Sequence, residues 1–233
     1  MHSEIAAVVG PDRSTAGAPS LAQGAYGVRG NLELLACDRT DGLWVFWFNA
    51  DLVTDPLETP DVPPGAWSAG LSFASGHRYL DAQIVQSSLG PDHLEVLALD
   101  ERGALQSWYW SPGLGFQRRA ADAATDVSRF TLTHVAGSLD AIVVGRDGGA
   151  RRLVSDADAP GYPDRTWNTS PAGETDTRST REDPRVRALI VAAGEVEAQI
   201  APGTARSARS TRNGGTTELT WRDTAGRIRH LGR

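Results

Sequence analysis

The chain has 233 residues, 40% hydrophobic and 22% charged, with 25 Gly and 13 Pro, a composition that fits a turn-rich globular protein and excludes a disordered or fibrous one. Its net charge is −6, and all 23 of its Lys-plus-Arg residues are arginines, which excludes Schiff-base and P-loop lysine chemistry. Residues 1–116 carry 5 Arg against 14 Asp or Glu and residues 117–233 carry 18 against 15, too mixed for the basic patch of a nucleic-acid partner.

In chain order, the N-terminus "MHSEIAAVVGPDR" has no basic segment and only a short apolar run (Ile5–Val9), so a signal peptide is not expected and the expected location is cytoplasmic. No apolar run reaches the ~18 residues that would cross a membrane. Glu4–Val9 reads as a lone strand without a nearby partner, suited to completing the last sheet of a closed ring and covering its edge.

A repeat follows. "LELLACDRTDGLWVFWF" (Leu32–Phe48) and "LEVLALDERGALQSWYW" (Leu94–Trp110) share Leu, Glu, Leu, Ala and Asp in the same order. Each unit reads as a strand, a Gly-containing loop, a second strand, an Asp-initiated turn and an aromatic strand. Such alternation with frequent turns predicts antiparallel β structure. Weaker copies follow at "RFTLTHVAGSLDAIVVGRDGGARRLVS", "VRALIVAAGEVEAQIAPG" and "TELTWRDTAGRIRHLGR". Hairpin turns are predicted at Asp41-Gly42, Arg102-Gly103, Gly148-Gly149, Gly194 and Ala225-Gly226, with outer strands in "GAWSAGLSF", "GFQRRA" and "RTWNTS". Ala50–Pro64 and Asp156–Asp183 read as long loops. Five hairpins give about 47 residues each, the size of a four-stranded propeller blade. The prediction is a single all-β domain over 1–233, a β-propeller of five blades, or four if the crowded Gly194 unit is not a blade of its own. Almost no helix is expected.

The pattern formed by Ile84-Val85-Gln86-Ser87 with Gly90, Asn31-Leu32-Glu33, Leu94-Glu95, Gly42-Leu43 with Phe46-Trp47, and Trp67 with Gly70 and Phe73 resembles a bacterial family of tandem-repeat β-propellers similar to tachylectin-like lectins. The resemblance runs over residues 18–111. "GRIRHLGR" departs from it, with Leu231 and Gly232 where aromatics belong. What the resemblance implies is a propeller that binds a glycan or other small-molecule ligand, with an oligomer left open.

The residues themselves offer few catalytic sets. The five histidines (His2, His77, His93, His134, His230) have no metal-ligand spacing, so neither a metal nor another cofactor is expected. The single cysteine, Cys37, lies in an apolar strand and reads as an inert buried thiol. The repeat acids Glu33, Glu95, Asp140, Glu197 and Glu218 read as structural acceptors of backbone N–H groups, and Asp38, Asp100 and Asp223 as turn-opening residues. Seven tryptophans divide between core packing and stacking on a sugar's C–H face, while amides and acids bond its hydroxyls. The candidate ligand-binding residues are Trp47, Trp67, His77, Gln86, Asp92, Glu95 and Trp108. Three functions stay open: a carbohydrate-binding propeller, an enzyme (hydrolase, lyase or cyclase) with one asymmetric pocket, and a protein-interaction ring.

Overall fold

A computed structural model describes residues 6–9, 13–51, 62–88, 93–111, 113–156, 166–173 and 182–233. Sixteen strands and one α-helix lie among them. Strands β2 (Thr15–Gln23), β3 (Leu32–Asp38), β4 (Leu43–Phe48) and β5 (Leu71–Phe73) form sheet 1 as a meander. Sheet 2 repeats it with β6 (Tyr79–Gln86), β7 (Leu94–Asp100), β8 (Leu105–Ser111) and β9 (Gly115–Arg118). Sheet 3 uses β10 (Val127–Val135), β11 (Ser138–Gly145), β12 (Ala150–Asp156) and β13 (Asn168–Pro171). Sheet 4 is built from β14 (Arg206–Ser210), β15 (Thr216–Arg222), β16 (Ile228–Gly232) and, as its outermost strand, β1 (Ala6–Val9). All pairings are antiparallel.

The expected β-propeller architecture is therefore present, and the N-terminal strand completes the last sheet as anticipated. Ala6 pairs with His230 and Ala7 with Arg229, so the strand covers what would otherwise be the open edge of β16. Four of the five expected hairpin turns join second and third strands. In three of these the Asp ahead of the turn caps it. Asp38 accepts from the backbone N–H of Thr40 and Asp41, Asp100 from Arg102 and Ala104, and Asp223 from Ala225 and Arg227. The carboxylate replaces the backbone acceptor that a tight turn lacks.

The Gly194 unit is a correction. It forms no sheet; residues Pro184–Ala192 are helix α1, followed by a single 3-10 turn at Glu197–Gln199. Its start is local chemistry. Pro184 opens the first turn and Asp183 accepts the N–H of Arg185 at 2.9 Å, as an N-cap does. Val186 and Ile190 are the buried pair, a spacing of one helical turn that an apolar run read at period two conceals. Four sheets, not five, lie among the described residues.

Three hydrophobic clusters lie between sheets. Sheets 1 and 2 share Leu35, Val45, Ile84, Val96 and Trp108; sheets 2 and 3 share Leu97, Leu105, Phe130 and Leu139; sheets 4 and 1 share Ile228, Leu34 and Phe46. Each fully buried side chain of this kind contributes about 1.5–3 kcal/mol. The fourth cluster joins Leu219, Trp221 and Leu231 of sheet 4 to Val186 and Ile190 of α1. The helix thus covers the face of sheet 4 turned away from sheet 1, and none of the described clusters joins sheet 3 to sheet 4. The inner strands touch in the order β10, β6, β2, β14. Gly17 on β2 permits the closest of these approaches: its φ is +65°, and a Cβ there would stand 2.6 Å from the carbonyl oxygen of Leu80, so only glycine fits.

Candidate functional site

Each sheet carries an acid at the same place on its second strand, and the four point the same way round the molecule. Glu33 pairs across the ladder with Trp47, and Glu95 with Tyr109. Side chains two apart share a face, so Glu33 lies with Leu35 and Cys37 toward sheet 2, and Glu95 with Leu97 and Leu99 toward sheet 3. Glu218 lies opposite the face capped by α1, toward sheet 1. Asp140 lies on the face of sheet 3 turned away from sheet 2. The fifth sequence-identified acid, Glu197, belongs to the 3-10 turn and not to this set.

Two of these acids take an arginine, not the expected backbone N–H, as principal partner, and Glu218 takes Ser210 and His230 with an arginine further off. Arg119 grips Glu95 with two bonds of 2.7 and 3.0 Å, with both side chains 2% exposed. The same guanidinium reaches the hydroxyl of Ser107 at 3.0 Å and lies 4.9 Å from the ring centre of Tyr109. Arg152 pairs with Asp140 through Nε at 2.9 and 3.0 Å. Glu218 receives Arg212 at 3.3 Å, Ser210 at 2.5 Å and Nε2 of His230 at 2.8 Å. Burial would raise the Glu218 carboxyl, but the bonds from His230 and Ser210 and the charge of Arg212 hold it below the usual carboxylate range. Ser210 and His230 each bond Glu218 and not one another, so the trio lacks the hydroxyl–imidazole bond that activates a serine nucleophile.

Polar side chains at the ends of three inner strands tie sheets 1, 2 and 3 to a neighbouring sheet. Gln23 of β2 accepts from the N–H of Thr211 at 2.7 Å and donates to its hydroxyl at 2.9 Å. Gln86 of β6 accepts from the N–H of Ala25 at 2.9 Å. His134 of β10 meets the hydroxyl of Ser88 at 3.2 Å. These contacts align the loop ends that border the inter-sheet clefts.

One such cleft is open. Between sheets 4 and 1 lies a cavity of about 650 Å³, lined by Arg29, Phe48, Asp51, Arg212 and Asn213 among others. Gln23 also donates to the carbonyl of Arg29 at 3.1 Å, so one amide holds both walls. Asp51 anchors the Val28–Arg29 turn by accepting two backbone N–H bonds of 3.1 and 2.8 Å. Arg212 lies 4.7 Å over the ring of Phe48, and its bonds to the Glu218 carboxylate use Nη1 alone. Cation, aromatic face, carboxylate and amide converge on a space large enough for a small ligand.

The candidate residues from sequence are dispersed by comparison. Trp108 is 8% exposed, in the core between sheets 1 and 2, edge-on to Phe73 at 5.7 Å. Glu95 is 1% exposed and occupied by Arg119. Trp67 is half-buried beside the open cleft, 5.5 Å from Phe48 and 5.4 Å from His230. His77 precedes β6, at the end of that strand away from Gln86, and lies 3.5 Å from Nε2 of Gln106. Trp47 and Gln86 come from sheets 1 and 2 at one end of their shared junction, and Asp92 lies outside the described residues. Sequence reasoning missed Arg29, Phe48, Asp51 and Arg212; the Arg-Asn-Gly-Gly turn at 212–215 was the only available signal for the last. Cys37 is buried, and burial pushes its thiol well above the ordinary range. Among the described residues no group of three His, Cys, Asp or Glu side chains is arranged to hold a metal, and no helix is long and apolar enough to cross a membrane.

No protein-family model matches the chain, and no curated protein matches it. Among solved structures it is similar to the BP39L lectin from Burkholderia pseudomallei, at 17% identity and a TM-score of 0.46, over 91% of this chain and 51% of that one. It is also similar to the SapL1 lectin, solved in complex with alpha methyl fucoside, at 11% identity and a TM-score of 0.45, over 96% and 61%. A third is AofleA from Arthrobotrys oligospora, at 10% identity and a TM-score of 0.43, over 99% and 56%. The chain spans between 51% and 61% of the length of these three.

Proposed function

We propose that this chain is a carbohydrate-binding propeller and that the cleft between sheets 4 and 1 is its principal site. The observation that carries the reading is the convergence of Arg29, Arg212, Asp51, Asn213 and Phe48 on one open cavity. A saccharide presents many hydroxyls on a small apolar frame, and it needs donors and acceptors fixed in advance. Arg212 is held by Glu218 and Phe48, and Asp51 by the Val28–Arg29 turn, so neither must be ordered by the ligand. Such a site is shallow, with an affinity near millimolar, about 4 kcal/mol. Greater strength would come from several sites acting together.

The test is titration of the intact protein with a panel of mono- and oligosaccharides, followed by calorimetry. Arg212→Gln should weaken binding by about tenfold or more, the loss of one charge-assisted contact. Binding that is unchanged in both Arg212→Gln and Arg29→Gln would remove this cleft from the account.

A further inference from the structure

The four equivalent acids are not equally served. Glu95, Asp140 and Glu218 each have an arginine; the Glu33 carboxyl has no hydrogen-bond or ion-pair partner among the described residues. It is 8% exposed, against a cross-strand Trp47 and close to Gly24, where a Cβ would meet its Oε1 at 3.5 Å. No charged side chain of β2, β4 or β6 serves it. Asp81 and Arg206, the charged groups in that junction, bond each other at 2.9 Å and act on Cys37, four residues further along β3. A buried carboxyl without a donor is costly and calls for a physical reason.

The surroundings supply one. Glu33 keeps 8% of its surface exposed, beside Gly24, which has no side chain to cover it. Trp47 is half-buried and meets no other aromatic ring among the described residues. Its indole and the carboxyl lie on one face of sheet 1, and Gln86 of sheet 2 reaches across to Ala25, next to Gly24. In the neighbouring junction the same face holds an acid, an aromatic ring and a guanidinium between them. Here the acid and the ring remain, and the cation is missing.

We infer that the junction between sheets 1 and 2 is a second ligand site, in which Glu33 receives the ammonium group of an amino sugar and Trp47 takes the sugar's ring face. This rests on the carbohydrate reading above. An ammonium beside both a carboxylate and an indole gains a charge-assisted bond and a cation–π contact. A neutral hydroxyl gains less, because it meets the protonated, uncharged carboxyl and makes only a neutral hydrogen bond.

The experiment titrates the full chain with a glucosamine tetramer, its fully N-acetylated counterpart and tetralysine, following tryptophan fluorescence and heat at pH 6.5 in two buffers of different ionisation enthalpy. Burial pushes the free Glu33 carboxyl up to about 8, so capturing an ammonium at pH 6.5 should release close to one proton. The glucosamine tetramer should bind roughly tenfold more tightly than the acetylated one. Glu33→Gln should lose both the preference and the proton release while remaining folded. Equal affinities for the two tetramers, or an unchanged Glu33→Gln, would overturn the inference and leave the sheet 4–sheet 1 cleft standing. Tetralysine bound equally well through Glu33 would overturn the amino sugar in favour of a peptide amine. If no saccharide of any kind binds, both readings fall.

Discussion

Glu95 and Glu33 occupy the same rung of adjacent sheets, and their surroundings are opposite. At Glu95 the chain supplies its own cation: Arg119 closes a bidentate pair that is shut off from water. At Glu33 it supplies none, and burial alone drives the carboxyl upward. The first junction is finished internally, and the second has a place for something else. The repeat thus fixes where an acid stands, and the presence of a local arginine decides whether that acid is structural or available.

The largest expected effect comes from breaking the finished junction. Arg119→Met leaves Glu95 buried and uncompensated, and should cost about 3–5 kcal/mol of stability in urea unfolding. Trp108→Ala should cost a similar amount, about 3–5 kcal/mol, as a cavity in the core. Its loss of stability should come without a specific loss of sugar affinity, since the ring is in the core. An intact melting temperature in Trp108→Ala would show that the ring is not packed as described.

Glu33→Gln should act in the opposite direction. The folded carboxyl titrates near 8 against 4.5 for a free glutamate, so between those values the folded state holds a proton that the unfolded state has released. Stability is then fully present below the unfolded value and falls as pH rises toward 8. The wild type should lose about 3–4 kcal/mol between pH 5 and pH 8 through this group, and Glu33→Gln should be flat over the same window. A parallel pH profile in both proteins would show that Glu33 is served by a donor after all. Smaller still is removal of residues 1–9, which uncovers β16 and should lower the melting temperature by a few degrees, about 1 kcal/mol.

Much of the fold was legible because turn chemistry is local. Asp38, Asp100 and Asp223 cap their turns from within four residues, so a repeated Asp ahead of a Gly was enough to find them. The helix was not legible, because Arg185 and Arg187 flank Val186 and an unbroken apolar run, 188–193, surrounds Ile190, so neither period stands out. The site was less legible than the fold. Arg119 lies 24 residues after its acid, Arg152 lies 12 after and Arg212 lies 6 before, so no spacing rule ties them to the repeat. Side-chain alternation along β8 puts Tyr109 on the face opposite Trp108 and Trp110. It could not say which face meets a ligand, because in a propeller both faces of a sheet meet neighbours.

The central claim is that a saccharide occupies the cleft between sheets 4 and 1. Its most direct test is a crystal structure of the protein soaked with the tightest-binding sugar from the titration panel. The account predicts density for that sugar between Phe48 and the 211–214 turn, with hydrogen bonds from Arg212 and Arg29. A sugar bound elsewhere, with this cleft holding only water, would contradict it.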